Sequence, residues 1–141
     1  MKGVRGYIFS RPFLGERVPQ HVQNLVIRDY CNKQGLQYLL SATEYAMANC
    51  HLVLQQVLEE LSILDGIVFY SLFLLPEEKT ERDRVINSIL KKGKTIYFAV
   101  EGLRMNNKTE HERIENIWQV KKVLPNCLMK YDYKGNLEEF A

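Results

Sequence analysis

Four short apolar runs recur along the 141-residue chain at intervals of about 30 residues, the length of a strand–helix–strand unit. The runs cover residues 7–9, 36–40, 67–70 and 95–100, and a helical pattern separates each run from the next. Parallel strands need a helical crossover between them, so this spacing predicts a parallel sheet. Because such crossovers are right-handed, we expect a small doubly wound α/β sheet with strand order 2-1-3-4 and helices on both faces.

The length of the chain fits one domain, which we expect to cover residues 1–141 with a loose tail over 134–141. A short fifth strand is predicted over 128–133, at the edge of the sheet. A left-handed helix cap is predicted at Gly35, which follows the first helical pattern. The predicted domain is a small α/β unit with a flavodoxin-like topology.

Four helices are predicted from apolar stripes and caps, over residues 19–32, 41–61, 76–92 and 109–124. In the first of these, the residues expected to face the sheet are Val22, Leu25, Val26 and Tyr30, whereas Gln23 lies off the stripe. The second and fourth helices each begin with the form of a capping box, a hydroxyl followed three residues later by glutamate. These boxes are Ser41 to Glu44 and Thr109 to Glu112.

Composition limits the class of protein. The net charge of +2 lacks the strongly basic, clustered signature of a nucleic-acid-binding domain, so we expect no nucleic-acid partner. No apolar run is long enough to span a bilayer, and the N-terminus lacks a secretory signal pattern. Three widely spaced cysteines fit reduced thiols. We therefore expect a cytoplasmic protein without membrane contact.

The motifs of common cofactors are absent from the sequence. Neither the G-x-G-x-x-G dinucleotide pattern nor the G-x-x-x-x-G-K-[ST] phosphate loop occurs. Cysteines and histidines are scattered, with none of the spacings that hold a metal ion. We expect no cofactor and no metal site.

Polar side chains follow the predicted strands at the edge where their carboxyl ends meet, which is where ligands bind in sheets of this type. Ser10, Glu44 and Glu101 are the candidate catalytic residues, because a carboxylate can move a proton and a hydroxyl can act on or hold a substrate. The candidate substrate-binding residues share hydroxyl, amide or guanidinium groups, and they are Arg11, Arg17, Gln20, Asn24, Ser41, Tyr45, Tyr70 and Ser71.

Each candidate has a structural alternative. Glu44 fits a capping box, which alone explains its position. Ser10 has no histidine in the predicted loops to act as its base, so a ligand contact or a turn fits it better than a nucleophile. Arg11 and Arg17 fit an anion-binding pair or two solvated arginines.

The sequence resembles the catalytic domain of serine recombinases. Tyr7-Ile8-Phe9-Ser10 is similar to the strand that delivers their serine, and residues 65–102 are similar to the strand–helix–strand unit that follows. The arginine that those enzymes carry just before the serine falls here on Ile8 or Phe9, and their Asp-Arg motif falls on Phe73-Leu74. Those arginines stabilise a phosphoryl transition state, so the resemblance implies the fold and argues against DNA strand transfer.

Two other resemblances arise, and the first of them concerns only the loop after the first strand. Residues 10–13 are similar to a loop of nucleoside deoxyribosyltransferase-like N-glycosidases, although the carboxylate segment of those enzymes is missing from residues 71–78. The third resemblance is the closest and runs through residues 6–13, 17–24, 41–47 and 70–71. It is to small bacterial "sporadic carbohydrate cluster" proteins, and it implies a role in surface-polysaccharide synthesis without fixing a reaction.

These observations predict an enzyme that processes a sugar or nucleotide-sugar by proton transfer, as an isomerase or epimerase does. The predicted partner is thus a small sugar molecule, and the long apolar face of the second helix leaves a homo-oligomer open. A non-catalytic partner of a sugar-biosynthesis enzyme is the first alternative. An enzyme acting on N-glycosidic bonds is the second.

Overall fold

The computed structural model describes residues 2–131, with side chains to Lys121. The chain divides into two compact units, one that ends at Asn107 and one that begins at Lys108. The first unit holds a five-stranded sheet in the order β2-β1-β3-β4-β5. Its strands are β1 (Val4–Phe9), β2 (Tyr38–Glu44), β3 (Gly66–Phe69), β4 (Thr95–Phe98) and β5 (Leu103–Met105).

Strands β1 to β4 are parallel and β5 is antiparallel, which confirms the predicted α/β class and strand order 2-1-3-4. The helices of this unit are α1 (Gln20–Gln34), α2 (Leu52–Glu59) and α3 (Lys79–Lys91), with 3₁₀ turns at Leu61–Ile63 and Leu72–Leu74. The second unit contains α4 (Lys108–Tyr131). Among residues 2–131, no helix is both long and apolar enough to cross a membrane.

The fifth strand forms from a different segment than predicted. Residues 103–105 turn back beside β4 after Gly102, whose φ of 65° lies in the left-handed region. The predicted strand over 128–133 is wrong where it can be compared, because residues 128–131 are helical; residues 132 and 133 and the predicted tail lie outside the described residues. Helix α4 continues past Pro125, where an end was expected, and it begins before the predicted Thr109 cap.

The second predicted helix is largely wrong. Residues 41–44, read as a capping box, are the last four residues of β2, and the helix itself covers only Leu52–Glu59. Pairing with β1 as far as Phe9↔Glu44 favours the extended form of this segment over its local helix signal. Residues 45–51 form a loop, so Met47, expected on the buried face, is 61% exposed.

The end of helix α1 is as predicted, but its buried face is partly different. It ends at Gly35 in the predicted left-handed conformation, with φ of 69°. Leu25, however, is 59% exposed, whereas Gln23 is fully buried against the sheet with Ile27 and Tyr30. The helix is thus rotated from its predicted face, because Gln23 makes hydrogen bonds at the end of β1 that a stripe of apolar residues cannot make.

Candidate functional site

The carboxyl ends of β1 to β4 lie along one edge of the sheet, as their parallel register requires. Phe9 pairs with Glu44, and Phe69 lies between Tyr7 and Phe98. We call this region the strand-end edge; it comprises the last residue of each of the four strands and the residues that follow it. Of the predicted site residues, Ser10, Arg11, Glu44, Tyr45, Tyr70, Ser71 and Glu101 lie there.

Glu44 is buried at the centre of one polar cluster. Its Oε1 accepts hydrogen bonds from the Tyr7 hydroxyl at 2.8 Å and from Leu54 N at 3.1 Å. Its Oε2 accepts from Val53 N at 3.0 Å and from Tyr45 N at 3.2 Å. Two of these donors are the otherwise unpaired amides in the first turn of α2, so Glu44 caps a helix after all, from a neighbouring strand.

This environment keeps Glu44 ionised. Burial alone would raise its pKa, but the hydrogen bonds from Val53, Tyr7, Leu54 and Tyr45 outweigh burial and hold the pKa below its usual value. The pKa of the Tyr7 hydroxyl is raised, first by burial and then by the charge of Glu44. A carboxylate stabilised by four donors is a weak base, so this geometry fits a structural role for Glu44.

The loop after β1 folds onto the loop after β2. The Ser10 hydroxyl donates to the carbonyl oxygen of Glu44 at 2.6 Å. Arg11 is buried, and its Nη1 donates to the carbonyl oxygens of Tyr45 at 2.8 Å and Cys50 at 2.9 Å. Its guanidinium also lies 4.0 Å from the centre of the Phe9 ring. Arg11 therefore joins the loop after β1 to the loop after β2 through its Nη1.

Arg17 and Arg11, both in the loop after β1, make separate contacts. The Arg17 side chain is exposed, and its Nη1 donates at 3.3 Å to the carbonyl oxygen of Ser10. The two guanidinium groups thus bind different carbonyl groups rather than one shared position.

Glu101 belongs to a second polar cluster, after β3 and β4. Its carboxylate accepts hydrogen bonds from the Ser71 hydroxyl at 2.7 Å and from Leu72 N at 3.0 Å, at the start of the 3₁₀ turn. The half-buried Tyr70 ring is close by and packs edge-to-face on Phe13 with centroids 5.8 Å apart. Burial raises the pKa of the Tyr70 hydroxyl, and the charges of Glu101 and Glu16 raise it further.

The remaining predicted residues lie elsewhere. The Tyr38 hydroxyl donates a hydrogen bond to Asn24 Oδ1 at 3.3 Å and shares another with Ser41 Oγ at 2.7 Å. Ser41 lies in the middle of β2 rather than at its end. Gln20 is exposed at the first turn of α1. The structure therefore does not bring these three residues to the strand-end edge.

Gln23 is a positioning residue that the sequence did not reveal. Its amide acts as a strand partner for the end of β1: Phe9 N donates to Oε1 at 3.0 Å, and Nε2 donates to Phe9 O at 2.9 Å and to Val18 O at 2.9 Å. These bonds hold both ends of the loop 10–18. The sequence holds no signal that distinguishes it, because Gln20 and Asn24 are also amides in the first turns after Pro19.

Replacing Gln23 by alanine should therefore free this loop. We expect the free energy of unfolding to fall by about 2–3 kcal/mol, because three buried backbone groups lose their partners. The Phe9 amide should also lose protection in hydrogen exchange. Gln20→Ala, an exposed change on the same helix, should shift stability by less than about 0.5 kcal/mol; an equal effect of the two variants would contradict the role given to Gln23.

Two clefts open at the strand-end edge and share Phe13 and Phe73 as walls. The first, of about 390 Å³, we call the strand-end cleft; it contains Tyr70, Glu16 and Glu101. The second is about 220 Å³ and contains Arg11 and His51. A third, larger groove of about 710 Å³ lies beside the first turn of α2 and contains none of the predicted site residues. No cluster of three metal-ligating side chains occurs in the part of the chain whose side chains are described, residues 2–121.

Solved structures share this fold. The N-terminal catalytic domain of TP901-1 integrase is 14% identical, with a TM-score of 0.62 over 88% of this chain and 98% of that chain. A resolvase family site-specific recombinase from Streptococcus pneumoniae is 6% identical, with a TM-score of 0.58 over 96% of this chain and 97% of that chain. No protein-family model and no curated protein matches the sequence.

The chain thus has a resolvase-like fold, as its resemblance to serine recombinases predicted, and this is the fold of an enzyme's catalytic domain. The interpretation as a sugar or nucleotide-sugar enzyme of surface carbohydrate synthesis is wrong, because the proteins that share the fold belong to recombination. The same finding overturns the N-glycosidase alternative, the sugar-enzyme partner and the exclusion of nucleic acid. Nothing in these comparisons supports the carbohydrate-cluster family.

Proposed function

We propose that this chain is a recombinase-fold protein that does not cleave DNA itself and acts by binding a partner at the strand-end edge. The link to recombination is an analogy of fold, and a fold alone does not determine chemistry. The proposal therefore depends on the residues around Ser10, where strand cleavage by a protein of this fold would take place.

One observation carries the proposal. The positions onto which the recombinase arginines fall are apolar core: Phe9 is 5% exposed and Leu74 is fully buried. Phosphoryl transfer depends on cations placed around the transferring group, because charge develops on its oxygens in the transition state. Nη1 of the nearby Arg11 donates to two carbonyl oxygens. Ser10 thus lacks the two arginines that, by the chain's resemblance to serine recombinases, would surround a serine acting as a nucleophile on a phosphate.

A second candidate function is strand transfer by Ser10. It is favoured by the position of Ser10 directly after β1 and by the exposed Arg17, which donates to the Ser10 carbonyl oxygen. The two candidates differ in one product, a covalent bond between Ser10 and DNA.

The test is to incubate the protein with supercoiled plasmid and to separate the products on a denaturing gel, with an active recombinase of this fold as the positive control. We expect neither nicked plasmid nor a covalent protein–DNA adduct, and no difference between the wild type and Ser10→Ala. An adduct that forms in the wild type and disappears in Ser10→Ala would overturn the proposal and establish the second candidate.

A further inference from the structure

The strand-end cleft has aromatic walls and two carboxylates. Phe13, Tyr70 and Phe73 supply the rings, and its volume of about 390 Å³ falls within the range of specific binding pockets. The edge-to-face packing of Phe13 on Tyr70 fixes the orientation of two of these rings. A ligand that enters this cleft therefore meets ring faces or edges on several sides.

The carboxylates in this cleft have no cation to neutralise them. Glu101 accepts its two hydrogen bonds from neutral donors, the Ser71 hydroxyl and Leu72 N. Glu16 is exposed, and among the side chains described, those of residues 2–121, its carboxylate has no ion pair. The next residue, Arg17, donates to the Ser10 carbonyl oxygen and does not line the cleft. No lysine or arginine is among the lining residues.

This combination selects the charge of the ligand. Aromatic faces attract a cation through the ring quadrupole, and carboxylates accept its N–H bonds, so both features favour an ammonium or guanidinium group. The same charges repel phosphate, so this cleft is unsuited to a DNA backbone. Leu14 and Val100, 50% and 52% exposed, also line the cleft and offer apolar contact to the stem of a long side chain.

We propose that the strand-end cleft binds an arginine or lysine side chain from a basic segment of a partner protein. This inference rests on the proposed binding function and names the chemistry of its partner. A peptide fits better than a free amine, since the exposed apolar residues beside the carboxylates provide contacts for residues that flank the bound cation.

The test uses nuclear magnetic resonance of the intact, isotope-labelled chain, titrated with a short peptide of arginine, alanine and glycine. The comparison ligands are the same peptide with glutamate in place of arginine, and free arginine amide. We expect saturable shifts at the amides of Tyr70 and Val100 with the arginine peptide only, which weaken as salt is added. Saturation by the glutamate peptide, or no saturation by either peptide, would overturn the proposal.

Three variants test the assignment of the site. Glu16→Gln should weaken the arginine peptide roughly fivefold, and Phe13→Ala roughly tenfold, in samples shown to be folded by their spectra. Glu59→Gln, an exposed carboxylate that does not line the cleft, should leave affinity unchanged. An equal loss of peptide affinity in Glu16→Gln and Glu59→Gln would show that only the net charge of the protein matters, and it would overturn the assignment of the site. Free arginine amide that binds as tightly as the peptide would overturn the protein partner.

This result is independent of the cleavage assay. Absence of peptide binding would contradict the proposal of a basic partner, but it would not contradict the proposal that the protein does not cleave DNA. A Ser10-dependent DNA adduct would remove the non-cleaving function, whatever the cleft binds.

Discussion

Replacing Glu44 by glutamine lowers the free energy of unfolding by about 3 kcal/mol in our expectation, the largest effect of any single polar change at the strand-end edge. The amide that replaces one carboxylate oxygen cannot accept the hydrogen bonds from Tyr45 and Val53, or alternatively those from Tyr7 and Leu54. Chemical denaturation at neutral pH measures the loss. Glu59→Gln, on the exposed side of α2, is the control and should change stability by less than about 0.5 kcal/mol.

The pH dependence of the free energy of unfolding distinguishes the effect of the Glu44 charge from the effect of its side-chain packing. Because the folded pKa lies below the usual value of 4.5, Glu44 stabilises the fold fully above that value and loses this contribution as the pH falls through its folded pKa. The stability difference between wild type and Glu44→Gln should therefore shrink in acid. A difference that stays constant between neutral pH and pH of about 3 would contradict the role given to this carboxylate.

Replacing Gly66 by alanine should destabilise the domain by about 3 kcal/mol or more, the second large effect. Gly66 begins the central strand β3 and pairs with Val4 on one side and Thr95 on the other. A Cβ atom at this position would overlap the carbonyl oxygen of Thr95, which is backbone and cannot rotate away. Strands β3 and β4 would have to separate at the point where they begin.

Gly35→Ala is the matched control for this substitution. Gly35 has a left-handed φ of 69°, but a Cβ atom added there would meet no other atom within 4 Å. Gly35→Ala should therefore lower the free energy of unfolding only by the strain of that backbone conformation, roughly 1–2 kcal/mol. Thermal unfolding of both variants provides the comparison. If Gly66→Ala proves no more harmful than Gly35→Ala, the close approach of β3 and β4 is not as described.

The strand order could be predicted because it follows from the spacing of apolar runs and from the hand of the crossovers, which are properties of the whole chain. The boundaries of β2 could not, because Ser41 and Glu44 satisfy a local helix rule while the pairing of Glu44 with Phe9 lies 35 positions away in the chain. Local propensity is weak compared with a row of strand hydrogen bonds and a buried face.

The candidate site shows the same limit. The chemical types at the strand-end edge were visible in the sequence, but a side chain's partners were not. Arg11 and Glu44 carry the charges that a ligand site needs, yet Arg11 donates to carbonyl groups of the loop after β2 and Glu44 accepts from amides in the first turn of α2. Glu16 and Phe13, which give the strand-end cleft its character, stand in a loop where no periodic pattern distinguishes them.

Arg11 binds the loop between β2 and α2 near both of its ends. Arg11 holds the carbonyl groups of Tyr45 and Cys50, while the residues between them, 46–49, are exposed. Because Arg11 binds both ends of the exposed segment, the length of this segment can change without disturbing the sheet. An insertion among residues 46–49 should therefore leave the sheet intact, and one placed after Met47 should break only the hydrogen bond of 3.3 Å from Cys50 N to Met47 O.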